Sequence, residues 1–163
     1  MNELPNNDLG VIESVWNYPR PPVVEDISQR IKIILNGELI VDSQNAKRVI
    51  ETGHPPVYYI PLQDIKSGIL RPIFEKTYCE WKGEASYYDV ILDDHTTKKA
   101  AWFYPDPDPK YLDIKDYVAF YANKMDACLV DDELVKAQAG GFYGGWITSN
   151  IVGPFKGSRY PAG

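Results

Sequence analysis

Apolar and polar positions divide the chain into a series of hairpins. Around residues 30–42, the segments R-I-K-I-I-L and E-L-I-V-D flank Asn36-Gly37. Two-residue hairpin turns prefer this pair because both central positions need positive φ. A strand over residues 76–92 is predicted to turn at 93–96 and return over 98–104, and a third hairpin joins 126–130 to 133–137 across Asp131-Asp132. The short run V-Y-Y-I at 57–60 is fenced by prolines and apolar on both faces, as expected of an internal strand or a cavity wall. Helical spacing is rarer. Ile114, Tyr117, Val118 and Tyr121 fall at i, i+3, i+4 and i+7 behind Asp113, which predicts one main helix over 113–124. Ser43 is placed to cap a shorter helix ending near Glu51, before Gly53, and Pro61 to open a one- to two-turn helix through Lys66. The pattern therefore predicts a mainly β (α+β) fold: antiparallel hairpins with one main helix and short helical turns, in a single domain over 13–157 between tails at 1–12 and 158–163.

One motif occurs twice. Residues 15–22 read V-W-N-Y-P-R-P-P and residues 101–109 read A-W-F-Y-P-D-P-D-P, so both spell W-x-Y-P-x-P. On an extended strand, side chains two apart share a face, which pairs Trp16 with Tyr18 and Trp102 with Tyr104. The prolines that follow end the strand and stiffen the chain leaving it. An apolar hairpin follows each copy, so an internal duplication and a chance echo both account for the pattern.

Composition adds aromatic weight: 12 Tyr and 4 Trp in 163 residues. Such side chains combine a large apolar body with a polar tip and suit partly open cavities and interfaces. A net charge of −6 with no cluster of Lys and Arg argues against a nucleic-acid partner. The chain shows no apolar run of membrane length and no secretory leader, so the expectation is a cytoplasmic protein without a membrane partner. Cys79 and Cys128 lie far apart without a C-x-x-C, and the expectation is reduced, buried thiols and no metal site.

Several residues carry candidate chemistry. Strand alternation would set Glu80, Lys82 and Glu84 on one face, with Cys79, Trp81 and Tyr87 on the core side. Lys82 is then either a solvated cation between two carboxylates or an anion-binding group in a pocket. His54, held extended by Pro55, either serves a ligand as hydrogen-bond partner or proton carrier, or caps the carbonyls of the preceding element. The run G-G-F-Y-G-G-W at 140–146 lacks the G-K-[ST] ending of a phosphate-cradling loop and reads as close-packed backbone carrying Tyr143 and Trp146 into the aromatic cluster. Asp106 and Asp108 form a D-x-D, but interleaved prolines make a metal site there a poor fit.

Taken together, S-V-W-N-Y-P-R-P-P, H-P-P-V-Y-Y, C-E-W-K-G-E-A-S-Y, A-A-W-F-Y-P-D-P and G-G-F-Y-G-G-W-I-T resemble the domain of unknown function 427 family over roughly residues 13–157. The resemblance implies a small, mostly bacterial, single-domain protein of antiparallel β-structure, tent- or barrel-like, filed under a nucleotidyltransferase-like label and without accepted catalytic residues. Its recurring positions match here at Trp16, Tyr18, Arg20, His54, Tyr58, Trp81, Lys82, Trp102, Tyr104 and Trp146. The functional expectation is a small polar or anionic metabolite bound in a Tyr/Trp-lined cavity by Trp16, Tyr18, Arg20, His54, Tyr58, Lys82, Trp102, Tyr104, Tyr143 and Trp146. Two alternatives stand beside it: an enzyme using His54, Lys82 and Glu84 or Glu80 on a nucleotide-like substrate, and a structural protein whose aromatics form core and homo-oligomer interface. No cofactor is indicated.

Overall fold

A computed structural model describes residues 11–140 and 142–157. The proposed 158–163 tail and most of the 1–12 tail lie outside the described residues. Strand β1 (Glu13–Ser14) leads into a 3-10 turn at Val15–Asn17, followed by β2 (Val23–Asp26), β3 (Ile31–Leu35), β4 (Glu38–Ser43), β5 (Lys47–Glu51) and β6 (His54–Tyr59). The long strands β7 (Leu70–Cys79), β8 (Gly83–Leu92) and β9 (His95–Phe103) come next, then β10 (Val118–Phe120), β11 (Ala127–Val130) and β12 (Glu133–Leu134). Three short strands finish the chain: β13 (Lys136–Ala137), β14 (Trp146–Ile147) and β15 (Ile151–Val152). Among the described residues, helical ones are confined to 3-10 turns, the longest at Pro109–Ile114. Among the described residues, no helix is long and apolar enough to cross a membrane.

The three predicted hairpins form. Asn36 and Gly37 take φ of 52° and 74°, and Asp131 and Asp132 take 45° and 69°, so both turns use the left-handed region the sequence suggested. Their strands assemble side by side in the order β12-β11-β3-β4. Two further antiparallel sheets, β2-β5-β6 and β10-β9-β8-β7, meet where Ile60 and Val118 exchange a pair of backbone hydrogen bonds of 2.8 Å. The sheets are not closed into a barrel.

Both longer helices of the expectation are strands instead. Residues 113–124 begin in a 3-10 turn, but Asp116 turns left-handed at φ 64° and Val118–Phe120 pairs with Phe103–Ala101. A three-residue strand buried on both faces is apolar without a gap, and that run mimics a helical stripe. Residues 47–51 lie between β2 and β6, where Val49 and Ile50 fit a pleated, buried surface. Ser43 caps no helix: its hydroxyl donates to the Asp64 carboxylate at 2.6 Å and accepts from the Asn45 amide. Residues 13–18 are not one strand either, because Ser14 accepts from Trp16 N–H and closes the 3-10 turn. Finally, the strand expected over 76–92 is two strands joined by a turn at residues 80–82.

Apolar residues of the β12-β11-β3-β4 sheet, among them Ile31, Ile33, Ile40 and Val41, pack on Ile60, Val90, Leu92, Val118 and Phe120 of the layer that the other two sheets form together, and this is the main core. The opposite face of that layer carries a second cluster in which Tyr59, Tyr87, Trp102, Tyr104 and Tyr121 predominate. Alternation decides which residue goes where. Val90 and Leu92 of β8 face the main core, while Ala85 and Tyr87 face the aromatic cluster.

Candidate functional site

The aromatic face lines a half-open cavity of about 340 Å³, in the size range of small-molecule sites. Its wall comes from β6 (Tyr59), β8 (Tyr87), β9 (Trp102) and the segment just beyond it (Tyr104). Trp102 lies tilted on Tyr121 at 4.6 Å between ring centres and meets Tyr59 edge-on at 6.3 Å; its indole N–H donates to the Tyr59 hydroxyl at 3.4 Å. Glycine makes this packing possible. A Cβ on Gly144 would stand 2.1 Å from Trp102 Cη2, so the indole rests directly on backbone.

Lys82 enters this cavity from the turn between β7 and β8 rather than from a strand face. Gly83 takes φ 104°, and the proline arm closes over the turn, with Asp108 N–H donating to the Lys82 carbonyl at 2.9 Å. The ammonium stands 3.4 Å from Cys79 Sγ and 5.6 Å from the centre of the Tyr104 ring. Lys82 is only 8% exposed, and among the described residues no carboxylate reaches it within 4.0 Å. Burial works against the charge, but Tyr59, Cys79 and Glu51 outweigh it and hold the ammonium above the ordinary lysine range. Tyr59 is itself held up by burial and stays a neutral phenol at neutral pH. Lys82 is thus an ammonium whose nearest described partners are the Cys79 sulfur and the face of the Tyr104 ring.

A second cavity offers a contrast. There the half-buried Arg48 guanidinium donates to Glu13 at 3.0 and 3.1 Å and to Glu25 at 2.8 Å. These pairs raise the guanidinium against the burial that opposes it, and they hold the Glu13 carboxyl below its usual range. Arg48 is thus paired with two carboxylates, whereas among the described residues Lys82 has none within 4.0 Å.

His54 opens β6 and lines the same cavity, its ring 4.7 Å from that of Tyr143. Burial pushes its pKa below the usual histidine value. Glu51 opposes that shift, while Lys156, Lys82 and Arg20 add to it. Gln138 Nε2 lies 3.1 Å from His54 Nδ1. Arg20 stands at the exposed mouth, 5.8 Å over the Trp81 ring and 3.8 Å from Glu80.

Seven of the sequence candidates therefore share one cavity: Arg20, His54, Glu80, Lys82, Trp102, Tyr104 and Tyr143. The others stand elsewhere. Tyr58 points into the main core, stacked 5.1 Å from Trp146, and its pKa is pushed up to about 12 by burial. Its neighbour Tyr59 lines the cavity in its place, because adjacent strand residues face opposite ways. Trp146 is buried in the main core, with its indole N–H donating to the Phe120 carbonyl at 3.1 Å. Trp16 lies on the surface and donates to the Pro154 carbonyl at 2.6 Å. Tyr18 packs against Val15, Ile50 and Ile151 and donates to Glu13 at 2.6 Å. Glu84 is exposed and does not line the cavity. Trp81, Cys79 and Tyr87, read as core, are lining residues, and Gln138 carried no motif that could have singled it out. Asp108 accepts from the Lys110 amide at 3.1 Å and caps the 3-10 turn. Among the described residues, no group of three or more His, Cys, Asp or Glu is arranged to hold a metal.

A family model described as a domain of unknown function, DUF427, and labelled NTP_transf_9 matches residues 23–131. The match includes His54, Lys82, Trp102 and Tyr104 but neither Arg20 nor Gln138. No curated protein matches the chain.

Proposed function

This chain belongs to the DUF427 family, and from that premise we propose that it binds a small organic anion with a flat, apolar body in the cavity around Lys82. One observation carries the reading: Lys82, only 8% exposed, holds its ammonium in a half-open, Tyr- and Trp-walled cavity, and among the described residues no carboxylate lies within 4.0 Å of it. A buried charge left unpaired is costly, and an anionic guest removes that cost while its body stacks on Trp102 and Tyr104. The reading goes with a reducing compartment, in which Cys79 stays a thiol beside the ammonium.

Native mass spectrometry of freshly purified protein tests it. The wild type should carry a small-molecule adduct that Lys82→Met loses while remaining folded. Retention of the adduct by Lys82→Met would remove Lys82 from the site and sink the proposal. ATP with Mg²⁺ serves as the competing probe suggested by the family label. Magnesium-dependent turnover of ATP, lost in His54→Phe, would replace binding by nucleotidyl transfer.

A further inference from the structure

The orientation of Gln138 is set by two backbone groups. Its Oε1 accepts from the Gly145 N–H at 3.2 Å, and its Nε2 donates to the Lys156 carbonyl at 2.9 Å. Neither partner can exchange roles, since a backbone amide only donates and a carbonyl only accepts. The close approach is enforced from behind, because a Cβ on Gly145 would lie 2.8 Å from Gln138 Oε1 and 2.6 Å from Pro55. The second Nε2 hydrogen of Gln138, which is only 5% exposed, is then left for His54 Nδ1 at 3.1 Å. An amide N–H₂ cannot accept a hydrogen bond, so Nδ1 must be the acceptor. The neutral ring therefore carries its proton on Nε2.

Charge completes the picture. Arg20, Lys82 and Lys156 face Glu51 and Glu80 around the cavity, with His54 neutral, which leaves one positive charge in excess. Arg20 at the mouth has Glu80 within 3.8 Å, while among the described residues Lys82 has no carboxylate within 4.0 Å. A guest with one negative charge neutralises the cavity. A phosphate dianion would overshoot it in a setting where excess charge is poorly screened.

On the strength of the binding reading above, we infer that Gln138 locks His54 as a neutral Nε2–H donor, and that the cavity is built for a monocarboxylate whose oxygens take up Lys82 and His54. His54 is a positioning and specificity residue here, not a base: to accept a proton at Nε2 it would need Nδ1–H, which the Gln138 amide blocks. This separates a carboxylate from its own amide, which brings an N–H₂ donor to Lys82 and His54, both of which only donate to the guest.

Two measurements on the full-length protein test this. The first is the long-range ¹⁵N–¹H correlation of the histidine rings at pH 7, with His95→Asn assigning the two rings. His54 should show an unprotonated Nδ1 and a protonated Nε2; a protonated Nδ1 overturns the inference and leaves the binding proposal standing. The second is calorimetric titration with phenylacetate, phenylacetamide and phenyl phosphate. Phenylacetate should bind about tenfold or more tightly than either of the others, and His54→Phe should lower its affinity about tenfold. Preference for phenyl phosphate, equal affinity for the amide, or no phenylacetate binding at millimolar concentration refutes the monocarboxylate assignment. Unchanged phenylacetate affinity in Lys82→Met instead refutes the binding proposal itself, whatever the ring tautomer.

Discussion

Replacing Lys82 by Met removes the ammonium and keeps an unbranched stem of similar reach. The turn itself should survive, because the arm holds it through the Lys82 carbonyl and not through the side chain. The lysine loses several kcal/mol of hydration when buried. A cation–π contact of this kind returns about 0.5–2 kcal/mol, the Tyr59 and Cys79 dipoles return part of the rest, and a 340 Å³ cavity leaves room for water near the head group. Methionine adds thioether–aromatic contacts worth about 0.3–1.5 kcal/mol. The raised pKa of Lys82 means that the fold favours the ammonium over the neutral amine, so these gains offset the burial cost and the variant should lie within about 1 kcal/mol of the wild type. That corresponds to a shift of no more than about 4 °C in melting temperature for a domain of this size. Urea denaturation followed by tryptophan fluorescence measures it, with an unchanged m-value required. A loss above about 1 kcal/mol would mean that the ammonium stabilises the fold. The argument from an unpaired buried charge to an anionic guest would then fail.

Other perturbations separate the cavity wall from the core. Gly144→Ala forces a Cβ into Trp102, which should cost about 1–3 kcal/mol and abolish adduct binding, read by melting and native mass spectrometry. A stable Gly144→Ala variant with full binding would show that the indole does not rest on that backbone. Because the folded-state pKa of His54 lies below its unfolded value, the unfolded chain takes up the proton first as pH falls. Stability should then be level above the unfolded value of about 6.5 and decline below it. Burial leads that shift; Glu51 opposes it, while Lys156, Lys82 and Arg20 reinforce it. His54→Phe should flatten the decline in urea midpoints between neutral and mildly acidic buffer, and a steeper decline would reverse the assignment.

Much of the architecture was legible because turn chemistry is local. Asn36-Gly37 and Asp131-Asp132 marked their hairpins, since few residues tolerate positive φ. What misled was periodicity in short buried strands. Val118–Phe120 pairs with β9 and Lys47–Glu51 with β2, both distant in sequence; the second strand also turns directly into β6 at Thr52-Gly53, a hairpin that the expected helix ending before Gly53 concealed. The candidate site was legible where a residue is unusual in itself, such as Lys82 and His54. It failed where the answer depended on a binary choice of face, as with Tyr58 and Tyr59, or on a copied motif meeting different surroundings. Trp16 and Trp102 share a motif, yet one sits in a surface 3-10 turn and the other in a central strand. Gln138 shows the remaining limit: its role exists only in the two backbone groups that orient it.

The seam between the two sheets has a mechanical meaning for the cavity. Val49, Val57 and Tyr59 stand on one side of the Ile60–Val118 pair, and Tyr87 and Trp102 stand on the other. The two walls are thus carried by separate rafts of backbone, tied at their shared edge by two reciprocal hydrogen bonds. A guest that touches both walls acts as a splint across the joint. Filling the cavity should slow solvent exchange of the Ile60 and Val118 amide protons more than that of amides deep within either sheet, so this one backbone rung reports on occupancy from within the fold.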